Sequence, residues 1–173
     1  MPLHNKSGGP GAFLIVVLGL PGSGKTTFAR AFAKELGAQH FNTDIIRDEL
    51  GLRGRYSAAD KRQVYREMEE QATHALQAGQ AVIVDGTFYQ PVLREPFQRL
   101  ARQSGVALFW IVVQAPEAAI SARLKRQRDY SEADYAVYRR IKAAWVPPEG
   151  PYLELQSQDL DKMMAQARTY LEA

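Results

Sequence analysis

The sequence predicts an α/β fold: a doubly wound, parallel five-stranded sheet with helices on both faces and a helical lid. Three observations carry this prediction. Short apolar runs alternate with longer segments of helical periodicity along the chain, the signature of right-handed β-α-β units. Glycines at 37, 79 and 105 fall where those periodic segments stop. The first strand-to-helix junction is glycine-rich, which places a ligand-binding turn at the C-terminal edge of the sheet.

Residues 12–18 are uninterruptedly apolar and read as a strand buried on both faces. Gly19-Leu20-Pro21-Gly22-Ser23-Gly24-Lys25-Thr26 follows, then helical spacing over 27–36, stopped by Gly37. Residues 38–43 form a short second strand that runs into Asp44-Ile45-Ile46-Arg47. A basic, glycine-broken loop over 51–56 carries Arg53 and Arg55. Ser57 is positioned as the N-cap of a long helix reaching about residue 78, with Val64, Met68, Ala72, Ala75 and Leu76 on its apolar face. A third strand over 81–84 ends in Asp85-Gly86-Thr87, and Pro91 opens a helix that Gly105 stops. Residues 106–113 are the strongest strand, with Trp110 in its core. Helices over 116–127 and 132–144 flank a basic bend, and Trp145 reads as a packing anchor. After Pro147-Pro148-Glu149-Gly150-Pro151 comes a last strand at 152–155, and Asp159 caps the closing helix. Residues 1–11 read as a mobile leader and 12–173 as a single domain, with the lid at about 123–131.

Bulk composition narrows the classes. The 173 residues, 46% of them hydrophobic and 24% charged, suffice for one proper core. The absence of cysteine excludes disulfides and thiolate metal sites. No apolar run approaches the roughly 18 residues of a membrane span, and the N-terminus lacks the order of a signal peptide, so the expectation is a cytoplasmic protein without a membrane partner. A net charge of +3 suits anionic ligands and is too mild to establish nucleic-acid binding.

The chemistry begins at the glycine-rich turn, which fits the phosphate-binding pattern G-x-x-x-x-G-K-[ST] in full. Glycines let the backbone curl its N–H groups around phosphate oxygens, and the following helix adds the positive end of its dipole. Gly19, Pro21, Gly22, Ser23, Gly24, Lys25, Thr26 and Thr27 are therefore candidate ATP contacts. Lys25 would reach the β- and γ-phosphates and the Thr26 hydroxyl would hold Mg²⁺. Asp85, ending an apolar strand, is a second Mg²⁺ candidate, although Asp-Gly is also a common turn pair. Thr87 shares that loop and is placed to touch phosphate or substrate. Asp44 reads either as a helix N-cap or as a general base for an acceptor hydroxyl, with Arg47 three residues on clamping the acceptor. On composition alone the run Arg123-Leu124-Lys125-Arg126-Gln127-Arg128 is a solvated face; its position late in a helix also suits a lid that closes on ATP. His4, His40 and His74 have no metal-ligand spacing and receive no role.

With those residues in place, the chain resembles the small P-loop "predicted kinases" (AAA-type, zeta-toxin-like). They are a group with a nucleoside-monophosphate-kinase-like fold, related to phage-type polynucleotide 5′-kinase and chloramphenicol phosphotransferase and more distantly to gluconate kinase. The resemblance runs from about Phe13 to Pro148 and rests on 19–27, Thr43-Asp44-Ile45-Ile46-Arg47, Val84-Asp85-Gly86-Thr87-Phe88, and Ala115-Pro116-Glu117 through Arg123 and Arg126. It implies an ATP- and Mg²⁺-dependent phosphotransferase acting on a hydroxyl of a small molecule or nucleotide. Asp44 would be the base, Arg47 an acceptor-side residue, and Arg123 and Arg126 lid arginines; Arg94 matches a position often held by arginine in such sequences. The phosphatase domain of the phage-type enzyme is not among these residues, which favours a small hydroxyl acceptor. A polynucleotide 5′-hydroxyl kinase, helped by Arg53 and Arg55, is the alternative; a P-loop ATPase or non-catalytic nucleotide-binding module is the second.

Overall fold

A computed structural model of the chain describes residues 11–127 and 132–173. The expected leader, apart from Gly11, and positions 128–131 of the expected lid lie outside the described residues. Strands β1 (Phe13–Leu18), β2 (Gln39–Asn42), β3 (Val82–Gly86), β4 (Ala107–Gln114) and β5 (Leu153–Gln156) form one sheet in the order β2-β3-β1-β4-β5. Every pairing is parallel. The helices are α1 (Lys25–Leu36), α2 (Thr43–Glu49), α3 (Ala58–Gln77), α4 (Pro91–Ser104), α5 (Glu117–Lys125), α6 (Glu132–Ala143) and α7 (Leu160–Glu172).

The apolar run of β1 is explained by two cores that it feeds alternately. Leu14, Val16 and Leu18 pack into a cluster with Val64 and Met68 of α3 and Phe97 and Leu100 of α4. Phe13, Ile15 and Val17 pack on the opposite face with Phe28 and Phe32 of α1 and Met163 and Ala167 of α7. All six β1 residues are buried, so a polar residue anywhere in this strand would lose its water on either face.

Local signals set the helix ends as expected in most places. Gly37 and Gly105 close α1 and α4 in the left-handed conformation, at φ 64 and 65°. Ser57 caps α3 by accepting from Asp60 N–H, and Asp159 caps α7 by accepting from Lys162 N–H. One end differs. Asp44 is not the cap of α2; the Asn42 side chain accepts from the N–H groups of Asp44 and Ile45, which puts Asp44 in the first turn with its carboxylate uncommitted to the backbone.

Parallel pairing then gathers the strand ends. Asn42 lies opposite Asp85 in the β2–β3 register, and Leu18 opposite Gly86 in the β1–β3 register. The turn after β1, the start of α2 and the loop after β3 thus share one edge of the sheet, beside the point where strand order reverses. No helix among the described residues is long and apolar enough to cross a membrane.

Candidate active site

Residues 19–24 turn from β1 into α1 through two left-handed glycines, Gly22 (φ 77°) and Gly24 (φ 93°), a conformation costly for any side chain. Gly24 occupies the N-cap of α1 and no side chain caps that helix, so an anion can take the cap's place. Pro21, Gly22, Gly24, Lys25, Thr26 and Thr27 line a cavity of about 510 Å³. The Lys25 ammonium donates to the Leu20 carbonyl over a long 3.4 Å. Gly19 and Ser23 belong to the loop but face a second cavity of about 330 Å³ behind it. A Cβ on Gly19 would stand 2.5 Å from the Val113 carbonyl oxygen and 2.7 Å from Ser23 Oγ. Gly19→Ala is therefore expected to destabilise the fold by about 1–3 kcal/mol in urea unfolding, through overpacking rather than backbone strain.

Asp85 lies directly behind Thr26. The Thr26 hydroxyl donates to Asp85 Oδ1 at 2.9 Å, and Asn42 Nδ2 donates to both carboxylate oxygens at 3.1 Å and reaches Thr26 Oγ1 at 3.2 Å. His40 Nε2 approaches Asp85 Oδ2 at 2.5 Å. Asp85 is fully buried, so these donors replace its water. A carboxylate only accepts, which makes Nε2 the protonated nitrogen of His40. His40 and Asn42 are the residues that sequence reasoning missed: their partner is more than 40 positions away, and only the β2–β3 register unites them. Removing the imidazole in His40→Ala is expected to cost about 1–3 kcal/mol in chemical denaturation, with partial recovery in His40→Gln.

The oxygen donors here fit Mg²⁺, which takes one or two protein oxygens and keeps several waters. Thr26 lines the cavity, and its hydroxyl donates to the Asp85 carboxylate. Among the described residues no group of three or more His, Cys, Asp or Glu converges as a metal cage.

Across the cavity stands α2. Asp44 is 77% exposed at its side chain, whereas Arg47 is only 7% exposed and donates to Asp44 Oδ1 at 2.9 Å. The Arg47 guanidinium lies 4.5 Å from the Tyr56 ring centre. Burial, and next the Asp44 carboxylate, raise the Tyr56 hydroxyl above its ordinary pKa, so it stays a neutral donor. Thr87 lines the same cavity. It is turned there by Phe88, a non-glycine residue at φ 45° whose ring packs edge-on between Tyr65 and Phe97, with its N–H donating to the Tyr65 hydroxyl at 3.2 Å. Tyr65, raised in pKa chiefly by burial, is thereby a structural hydroxyl as well as a wall of the cavity.

The arginines divide. Arg123 lines the cavity, donating to the Gly22 carbonyl and to Ser157 Oγ, each at 3.0 Å. Arg126 caps α5 at the surface and is not part of the lining. Arg94 is buried elsewhere: it donates to the Phe88 carbonyl at 2.7 Å and to the Val146 carbonyl, beneath the Trp145 ring. Its burial lowers its pKa. Arg94 thus braces the loop that carries Thr87 and does not itself line the cavity. Tyr56, Lys61, Tyr65 and Tyr89 also line this cavity, and no local motif announces them.

A phosphate-binding turn between β1 and α1, in a parallel sheet of this order with a buried carboxylate behind the threonine of the turn, defines a P-loop nucleotide-binding protein of kinase-like fold. The chain belongs to the family described as an AAA domain, which matches residues 14–148. It is 33% identical to a UPF0200 protein of Aeropyrum pernix over 74% of this chain and 72% of that one. It is 36% identical to a shikimate kinase of Moorella thermoacetica over 61% of each. An uncharacterized protein of Mycobacterium tuberculosis is 37% identical over 55% of this chain, a stretch that spans only 22% of that relative. Among solved structures, the Mycobacterium tuberculosis APS kinase in complex with AMPPNP and APS superposes with a TM-score of 0.76 at 21% identity, covering 95% of this chain and 99% of that one. A sugar kinase from Janibacter sp. gives 0.71 at 19% identity, with 93% and 95% covered. At these identities the structural likeness is one of fold.

Proposed function

We propose that the protein transfers the γ-phosphate of ATP to a hydroxyl group of a small molecule, with Asp44 as the general base. The observation that carries this reading is one cavity lined by Lys25 and Thr26 together with Asp44 and Arg47. The triphosphate lies on residues 22–27, with Lys25 on the β- and γ-phosphate oxygens. Asp44 accepts the proton of the acceptor hydroxyl as its oxygen bonds to the γ-phosphorus and the bond to the β-γ bridging oxygen breaks, leaving ADP. Mg²⁺, held by Thr26 with Asp85 behind it, would supply charge neutralisation at the phosphates. Arg47 keeps Asp44 oriented, Arg123 works from the donor side, and Thr87 contacts phosphate or acceptor. We include Arg126 as a second lid arginine and assign Arg94 a positioning role behind the Thr87 loop. The names of the relatives, a shikimate kinase among the sequences and an APS kinase and a sugar kinase among the structures, support a small acceptor, and the features described suit a cytoplasmic enzyme.

The alternative, a polynucleotide 5′-hydroxyl kinase close to the phage-type and chloramphenicol-modifying enzymes, draws on Arg53 and Arg55. Both are ion-paired, Arg53 with Asp48 at 3.6 Å and Arg55 with Asp60 at 3.1 Å, which leaves them less available to a phosphate backbone. Screening radiolabelled γ-phosphate transfer across hydroxyl metabolites, antibiotics and 5′-hydroxyl oligonucleotides tests the proposal. Transfer to a small alcohol supports it, transfer to oligonucleotides alone selects the alternative, and rapid ATP hydrolysis with no acceptor overturns both.

A further inference from the structure

The acceptor half of the cavity holds a guanidinium N–H and an ammonium that no ion pair among the described residues takes up. Arg47 gives one nitrogen to Asp44, but its Nε is buried with no partner. A buried N–H left unpaired in a charged group is costly and marks a missing partner. Lys61, in the first turns of α3, donates to the Tyr89 hydroxyl at 2.9 Å and stands 5.1 Å from that ring's centre; it forms no ion pair among the described residues. Of the carboxylates that line the cavity, Asp44 is engaged by Arg47, Asp48 by Arg53, and Asp134 lies on α6.

A neutral alcohol could occupy the Arg47 Nε–H but would leave the Lys61 ammonium without a counter-charge in a partly dehydrated cleft. An oxyanion answers both: it accepts charge-assisted hydrogen bonds from a guanidinium and an ammonium together. The Tyr56 ring beneath Arg47 and the Tyr89 ring beneath Lys61 hold the two cations in place before any ligand arrives. We propose that the acceptor carries an anionic group, a carboxylate or a phosphate or sulfate monoester, bound jointly by Arg47 and Lys61, while its hydroxyl faces Asp44. This deepens the phosphotransferase reading and rests on it for the direction in which the acceptor lies.

The test uses the full chain saturated with Mg·AMPPNP, so that the phosphate loop is filled, titrated calorimetrically at constant ionic strength with inorganic phosphate, malonate and glycerol. Saturable binding of phosphate or malonate is expected, weakened at least tenfold in Lys61→Met and unchanged in the exposed control Arg62→Ala. Phosphate alone points to a phosphomonoester acceptor and malonate alone to a carboxylic acid. The inference is overturned if neither anion binds, if glycerol binds as well, if Lys61→Met binds undiminished while unfolding like the unaltered chain, or if filling the loop abolishes binding. The kinase reading fails on a different result, the absence of γ-phosphate transfer, so the two are separable.

Discussion

Exchanging Asp44 for asparagine is expected to lower γ-phosphate transfer by about 10²–10⁴-fold while leaving nucleotide affinity nearly unchanged. The carboxylate is mostly exposed, so an isosteric amide costs the fold little. It keeps an oxygen for Arg47, and the start of α2 is capped by Asn42 rather than by position 44, so the helix survives the exchange. What the variant lacks is an acceptor for the hydroxyl proton. Transfer to the acceptor identified by screening and affinity for a fluorescent ATP analogue should be measured side by side. Undiminished transfer would remove Asp44 from its proposed role.

Replacing Lys25 with methionine is expected to reduce turnover by about 10²–10³-fold and, unlike the exchange at Asp44, to weaken ATP binding as well. The ammonium makes only a long contact with the Leu20 carbonyl, so little native structure depends on it. In the proposed reaction its charge would meet the triphosphate and the negative charge that spreads over the transferring group. Equilibrium unfolding should change by less than about 0.5 kcal/mol, as for other substitutions away from structural features. Retention of both turnover and affinity would displace the donor site from residues 22–27.

The phosphate-binding turn was legible in the sequence because its signal is local, whereas the role proposed for Asp44 came from a resemblance. Lys25 sits in a contiguous motif, and the strand and helix around it follow from unbroken apolar and helical patterns. The same holds for the ends of α1, α3, α4 and α7, where a glycine or a short polar side chain acts on its own neighbours. Strand order could not be read this way, since β1 and β2 are consecutive in the chain yet separated by β3. The role of His40 was hidden for the same reason: it is an ordinary strand residue until β3 is laid beside β2. Arg94 shows the converse. A match to a position often held by arginine made it a substrate-binding candidate, but its guanidinium is used on the Phe88 and Val146 carbonyls, contacts that depend on where residues 144–146 return to α4. Lys61 and the tyrosines of the acceptor half come from three separate segments and share no spacing.

Asn42 has a consequence that reaches past its own hydrogen bonds. Its Oδ1 end holds the first turn of the helix bearing Asp44, and its Nδ2 end holds Asp85 and Thr26. One planar amide therefore acts as a fixed-length spacer between the two halves of the cleft, and it works in only one orientation, because a flipped amide would set oxygen against carboxylate. Displacement on either side is transmitted to the other without a moving domain. In thermodynamic terms, substitutions at Asn42 and Asp85, which touch directly, should be non-additive, with an interaction energy of about 0.5–3 kcal/mol in a double-mutant cycle.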